Sequence, residues 1–61
     1  MKRFKVTILS KIDGVIITYW YHRAQAVDFL NKYSDIDEDF MSGIVEGRLG
    51  RCYEVVYYKS R

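Results

Sequence analysis

Val15-Ile16-Ile17-Thr18-Tyr19-Trp20-Tyr21-His22 is the most apolar run of the 61-residue chain, built almost wholly from β-branched and aromatic residues. Such side chains fit a pleated surface, so the run predicts a strand. It lacks the apolar/polar alternation of a strand with one wet face. Near-continuous apolar character predicts coverage on both faces, and so a central strand.

Working outward, Phe4-Lys5-Val6-Thr7-Ile8 alternates, with Phe4, Val6 and Ile8 on one face of a first strand. Asp13-Gly14 between the two strand patterns is a strong hairpin signal, which pairs them antiparallel. Beyond His22 the period changes. Ala26, Phe29, Leu30 and Tyr33, widened by Val27, form one stripe of a helix of about eleven residues starting at Arg23. Asp35 with Glu38, or Ser34 with Asp37, has capping-box spacing and predicts a second helix, with Phe40, Met41, Ile44 and Val45 as its apolar stripe. Gly43 weakens that helix, and Gly47 or Gly50 ends it. Arg51–Lys59 is again β-branched and aromatic, a last strand. The expected fold is α+β: β-β-α-α-β, a three-stranded antiparallel sheet of order 1-2-3, and two helices on one face.

Composition narrows the function. One domain spans residues 1–61, and its core supports roughly 3–5 kcal/mol of net stability. Ten Lys and Arg against eight Asp and Glu give a net charge of +2, too balanced to declare a nucleic-acid partner by itself. The single cysteine, Cys52, excludes an internal disulfide, and with His22 it cannot supply a zinc set. Apolar runs of about eight residues are far short of a membrane span. A soluble, cytoplasmic protein with no membrane partner, metal or cofactor is expected. No glycine-rich phosphate loop is present, and a Cys52–His22 pair is the one catalytic constellation conceivable, so a non-enzymatic role is expected.

Two surfaces stand out. Asp28, Asp35, Asp37, Glu38 and Asp39 concentrate carboxylate in the helical middle of the chain, while lysines and arginines lie towards its ends. The bland reading is a capped, solvated helix start; the functional one is an acidic ridge for a basic partner surface. The alternative is a stacking platform for single-stranded nucleic acid, made of Trp20, Tyr19, Tyr21, Tyr53, Tyr57 and Tyr58 with edge cations. A sheet face left without helices also offers a homodimer interface, so the free protein is expected as a monomer or weak homodimer.

The chain resembles the discriminator of mRNA degradation family, antitoxins of T-even-type phages. The resemblance covers nearly its whole length: Lys5-Val6 opening the first strand, Tyr33, Asp35-Ile36-Asp37, Ile44-Val45-Glu46 in the second helix, and Cys52-Tyr53-Glu54-Val55. It implies an early protein, in the host cytoplasm, that occupies the active-site groove of an RNase LS-type endoribonuclease toxin. Phage mRNA is thereby protected and host defence evaded, with no direct nucleic-acid contact. Family contacts lie on the outer face of the first helix and the start of the second. The matching positions are Asp28 and Asp37, carboxylates where the family carries aromatic and amide groups, so Asn31, Asp35 and Glu38 complete the expected toxin-binding set.

Overall fold

A computed structural model describes residues 2–61, for Leu49 its backbone. Five elements follow one another: β1 (Phe4–Ser10), β2 (Gly14–Trp20), α1 (Arg23–Ile36), β3 (Phe40–Leu49) and β4 (Cys52–Ser60). The strands form one antiparallel sheet of order β2-β1-β3-β4, with α1 on one face.

The expected second helix is a strand, and the sheet has four strands rather than three. The stretch Asp35–Glu38 does not cap a new helix: α1 continues through Ile36 and ends on Asp37. The Asp37 carboxylate accepts the Asp39 backbone N–H at 3.0 Å, turning the chain into β3. An acidic side chain two residues before the N–H it receives is a turn device as readily as a helix cap. The glycines weighed as helix weaknesses serve close approach instead. A Cβ on Gly43 would run into the Leu30 side chain, and one on Gly47 would press on Phe4 and Val56 at 3.1–3.2 Å. At Gly43 the missing side chain is what lets Leu30 of α1 come down onto the β3 backbone.

The order 1-2-3 fails with the helix. β1 is central, flanked by β2 and β3, and Val15–Trp20 lies on an edge strand. Its unbroken apolar character has another cause: the sheet face away from α1 is apolar and uncovered, so Val15, Ile17 and Tyr19 point into open space at 62, 47 and 53% exposure.

The core sits between α1 and the other face. Val6, Ile8, Val45 and Phe40 meet Ala26 and Leu30, all at most 2% exposed. Burying each large aliphatic side chain contributes about 1.5–3 kcal/mol. Trp20, the one tryptophan, belongs to this layer. Its ring lies 5.1 Å from that of Phe29, and its Nε1–H donates to Thr18 Oγ1 at 2.9 Å. The expected stripe of α1 holds, with Ser34 added as a buried hydroxyl that donates to the Asn31 carbonyl at 2.8 Å.

Candidate functional site: two faces of one sheet

Side chains directly opposed in an antiparallel pair share a face. The registers therefore fix which residues stand on the side that α1 leaves open. Three rows cross all four strands: Tyr19, Lys5, Glu46 and Val55; Ile17, Thr7, Ile44 and Tyr58; Val15, Leu9, Ser42 and Ser60. Arg48 and Tyr53 close one end, the guanidinium 5.9 Å from the ring centroid. The apolar side chains of the face gather on the two edge strands, with Leu9 and Ile44 between them among Lys5, Thr7, Ser42 and Glu46. Lys5 and Glu46 stand opposite each other at its centre, and among the described residues neither makes a hydrogen bond or ion pair. Leu9, Val15, Ile17, Tyr19, Tyr53, Val55 and Tyr58 are each at least 40% exposed, so exposed apolar side chains on both edge strands flank a mixed centre.

The helix side carries the carboxylates named from the sequence, in a different setting. Asp28, Asn31 and Asp35 do fall on one stripe of α1, beside β4. Asp28 pairs with Lys32 at 3.0 Å, and Asp35 lies 3.9 Å from Lys59. Asn31 is engaged structurally: its Oδ1 accepts from the Tyr57 hydroxyl at 2.9 Å and from Lys59 Nζ at 3.3 Å. Asp37 is half-buried and committed to the turn, and its Oδ2 accepts the Ser10 hydroxyl at 3.4 Å. Glu38 is exposed in that turn, but its carbonyl, with those of Asp37 and Ser34, receives the Arg61 guanidinium at 2.7–3.1 Å. The helix stripe is thus charge-balanced, with Asp28 and Asp35 each beside a lysine and the Asp37 carboxylate held in the turn.

The same neighbourhood changes one titration. Partial burial first, then the carboxylates of Asp37 and Asp13, push the Tyr33 phenol above its ordinary 10. Cys52 and His22 do not come together. They lie at one end of the sheet on opposite edges, roughly 14 Å apart at the usual strand spacing. No group of three His, Cys, Asp or Glu side chains among the described residues could hold a metal ion. A concavity of about 450 Å³ beside Arg23, Ala24, Val27 and Tyr57 is an open groove rather than an enclosed pocket.

The stacking platform read from the sequence is only partly assembled. Trp20 and Tyr57 face the helix, while Tyr19, Tyr53 and Tyr58 share the open face. What the sequence hides is the place of Ile44 on this face, because its spacing with Phe40, Met41 and Val45 also fits a helical stripe. No helix of the described residues is long and apolar enough to cross a membrane. No known protein family matches the chain, and neither a curated protein nor a solved structure is similar to it.

Proposed function

We propose that this chain is a small inhibitory binding protein of the antitoxin kind, which docks on an endoribonuclease in the host cytoplasm through the uncovered face of its sheet. The observation that carries the docking surface is the set of apolar side chains Leu9, Val15, Ile17, Ile44, Val55 and Tyr58 on the one sheet face that α1 leaves open. A face of that kind on so small a domain leaves apolar area in water that a partner removes. The partner's class rests on the sequence resemblance. The residues that carry it keep their identities, although Ile44-Val45-Glu46 stand on a strand and the order of elements differs from the one it implied.

A single-strand nucleic-acid reading is less well served. Stacking needs aromatic rings along a cationic path. Here the inner strands present no aromatic ring to this face, and their one lysine there stands opposite a glutamate. Trp20 lies under Phe29 on the far side, so its fluorescence does not report on this surface.

The test is neutralisation of an RNase LS-type toxin in a host lacking its own antitoxin, read as growth and mRNA half-life. The native chain is expected to restore both. Ile17→Lys with Ile44→Lys should abolish protection with the circular dichroism spectrum unchanged, while Asp35→Lys with Glu38→Lys should retain it. Protection that survives the isoleucine pair but not the carboxylate pair assigns the contact to the helix side. Tight retention of single-stranded RNA without neutralisation overturns the antitoxin reading. Asp37 is left out because its carboxylate holds the turn into β3.

A further inference from the structure

We infer that the free protein covers its open sheet face with a second copy of itself, in a two-fold sandwich whose centre is a reciprocal pair of Lys5–Glu46 bridges between copies. This rests on the reading of that face as the working surface, and it says what occupies the face before a partner does.

The argument starts from the order of the strands. β1 and β3 are the two inner strands and β2 and β4 the two outer ones, so the line between β1 and β3 divides the sheet evenly. A two-fold axis parallel to that line, midway between two facing sheets, lays each β1 over the β3 of the other copy and each β2 over its β4. Sheets packed in this way stand about 10 Å apart, with strands within about 30° of alignment. On the two inner strands each residue then meets the register partner it already has within its own sheet, and on the outer strands each meets the residue at the far end of its row. Ile17 meets Tyr58, Tyr19 meets Val55, and Thr7 meets Ile44. Apolar side chains meet between the outer strands at Ile17–Tyr58 and Tyr19–Val55, while the inner strands lay Thr7 on Ile44 and Leu9 on Ser42.

The charges decide between a second copy and an unrelated surface. Lys5 and Glu46 are register partners, so the same operation sets Lys5 of each copy over Glu46 of the other. Within one chain the two make no ion pair, and both are half-buried. A dimer of this symmetry brings two opposite-charge pairs together and no like charges at its centre, which is the self-complementarity an isologous interface requires. Four strands of seven residues present roughly 400 Å² in plan. That is about half of the ~800 Å² per partner of a standard protein interface, which suits a monomer–dimer equilibrium and not a permanent dimer.

Analytical ultracentrifugation of the purified chain over a concentration series tests this without any partner. A monomer–dimer equilibrium is expected. Lys5→Glu and Glu46→Lys should each weaken the dimer by at least about 100-fold, since each sets like charges face to face. The double variant carrying both exchanges should return to within about tenfold of the native dimer, and urea unfolding of each variant at monomeric concentration separates this rescue from repair of the cross-strand pair within one chain. Circular dichroism confirms that each variant is folded. A chain that stays monomeric throughout, or a dimer indifferent to both single exchanges, overturns the inference. Toxin neutralisation is measured separately. A monomer that neutralises sinks the dimer alone, and a charge-rescued dimer that neutralises nothing sinks the antitoxin reading alone.

Discussion

Gly43 shows how one residue can carry opposite meanings. Inside a helix it costs up to about 1 kcal/mol relative to alanine, and in that light it argued for weakness. On β3 it is where Leu30 of α1 enters, and the absence of a side chain is its contribution. Gly43→Ala is therefore expected to lose about 1–3 kcal/mol in urea unfolding, through overpacking against a fully buried leucine. Pairing it with a shortened Leu30 should cost less than the sum of the two changes. Tyr33 offers a second test at this scale. Its phenol ionises above 10, so the folded state holds that proton more tightly than the unfolded chain does. The stability linked to Tyr33 is fully present below pH 10 and is lost as pH rises through the folded-state value. In a tyrosinate absorbance titration, Tyr33→Phe should remove a late component of the curve; loss of only an ordinary one would place the phenol in water.

Among the elements, β1, the Asp13-Gly14 hairpin, α1 and β4 were legible because each has one period and a turn signal with one meaning. The Asp35–Leu49 stretch was not. Phe40, Met41, Ile44 and Val45 satisfy a helical stripe, and only the bulge between Leu9 and Ser10, which lets Ser10 face Phe40, reconciles the same residues with a strand. Glycines facing a helix further hid the alternation. The edge position of β2 was illegible for a related reason: an apolar face left open looks, in sequence, like an apolar face that is covered. Of the expected site, Asp28, Asn31 and Asp35 share a stripe as the spacing implied, but the lysines that balance them come from one turn away and from β4, a pairing no local pattern reveals. The end of α1 also depends on a distant group. It has no basic residue in its last turn, and the Arg61 guanidinium supplies the missing donors to the carbonyls of Ser34, Asp37 and Glu38. Arg61→Ala should lower stability by about 1–2 kcal/mol, and Arg61→Lys should recover little of it, because three separate carbonyls require the forked donor. Equal stability of the lysine variant would reduce the contact to simple charge.

At the level of the whole molecule, the two sides of the sheet follow different rules. Core positions such as Val6 and Val45 are fixed by packing, whereas the open face is free of that constraint. Ile17→Lys, on the edge strand, is expected to change unfolding stability, measured at concentrations where the chain is monomeric, by no more than about 0.5 kcal/mol. A loss of several kcal/mol would mean that the face is packed after all. The order β2-β1-β3-β4 has a further consequence, in time rather than in space. Each outer strand returns on its neighbour through a short turn, so both hairpins close quickly on local contacts. Joining β1 to β3 requires residues some forty positions apart to meet, with α1 formed between them. Loop closure makes that meeting the slow event. Val6→Ala and Val45→Ala should therefore act mainly on the folding rate, and Val56→Ala mainly on the unfolding rate. In this chain the two halves are ready early, and the speed of folding is set by how fast they find each other.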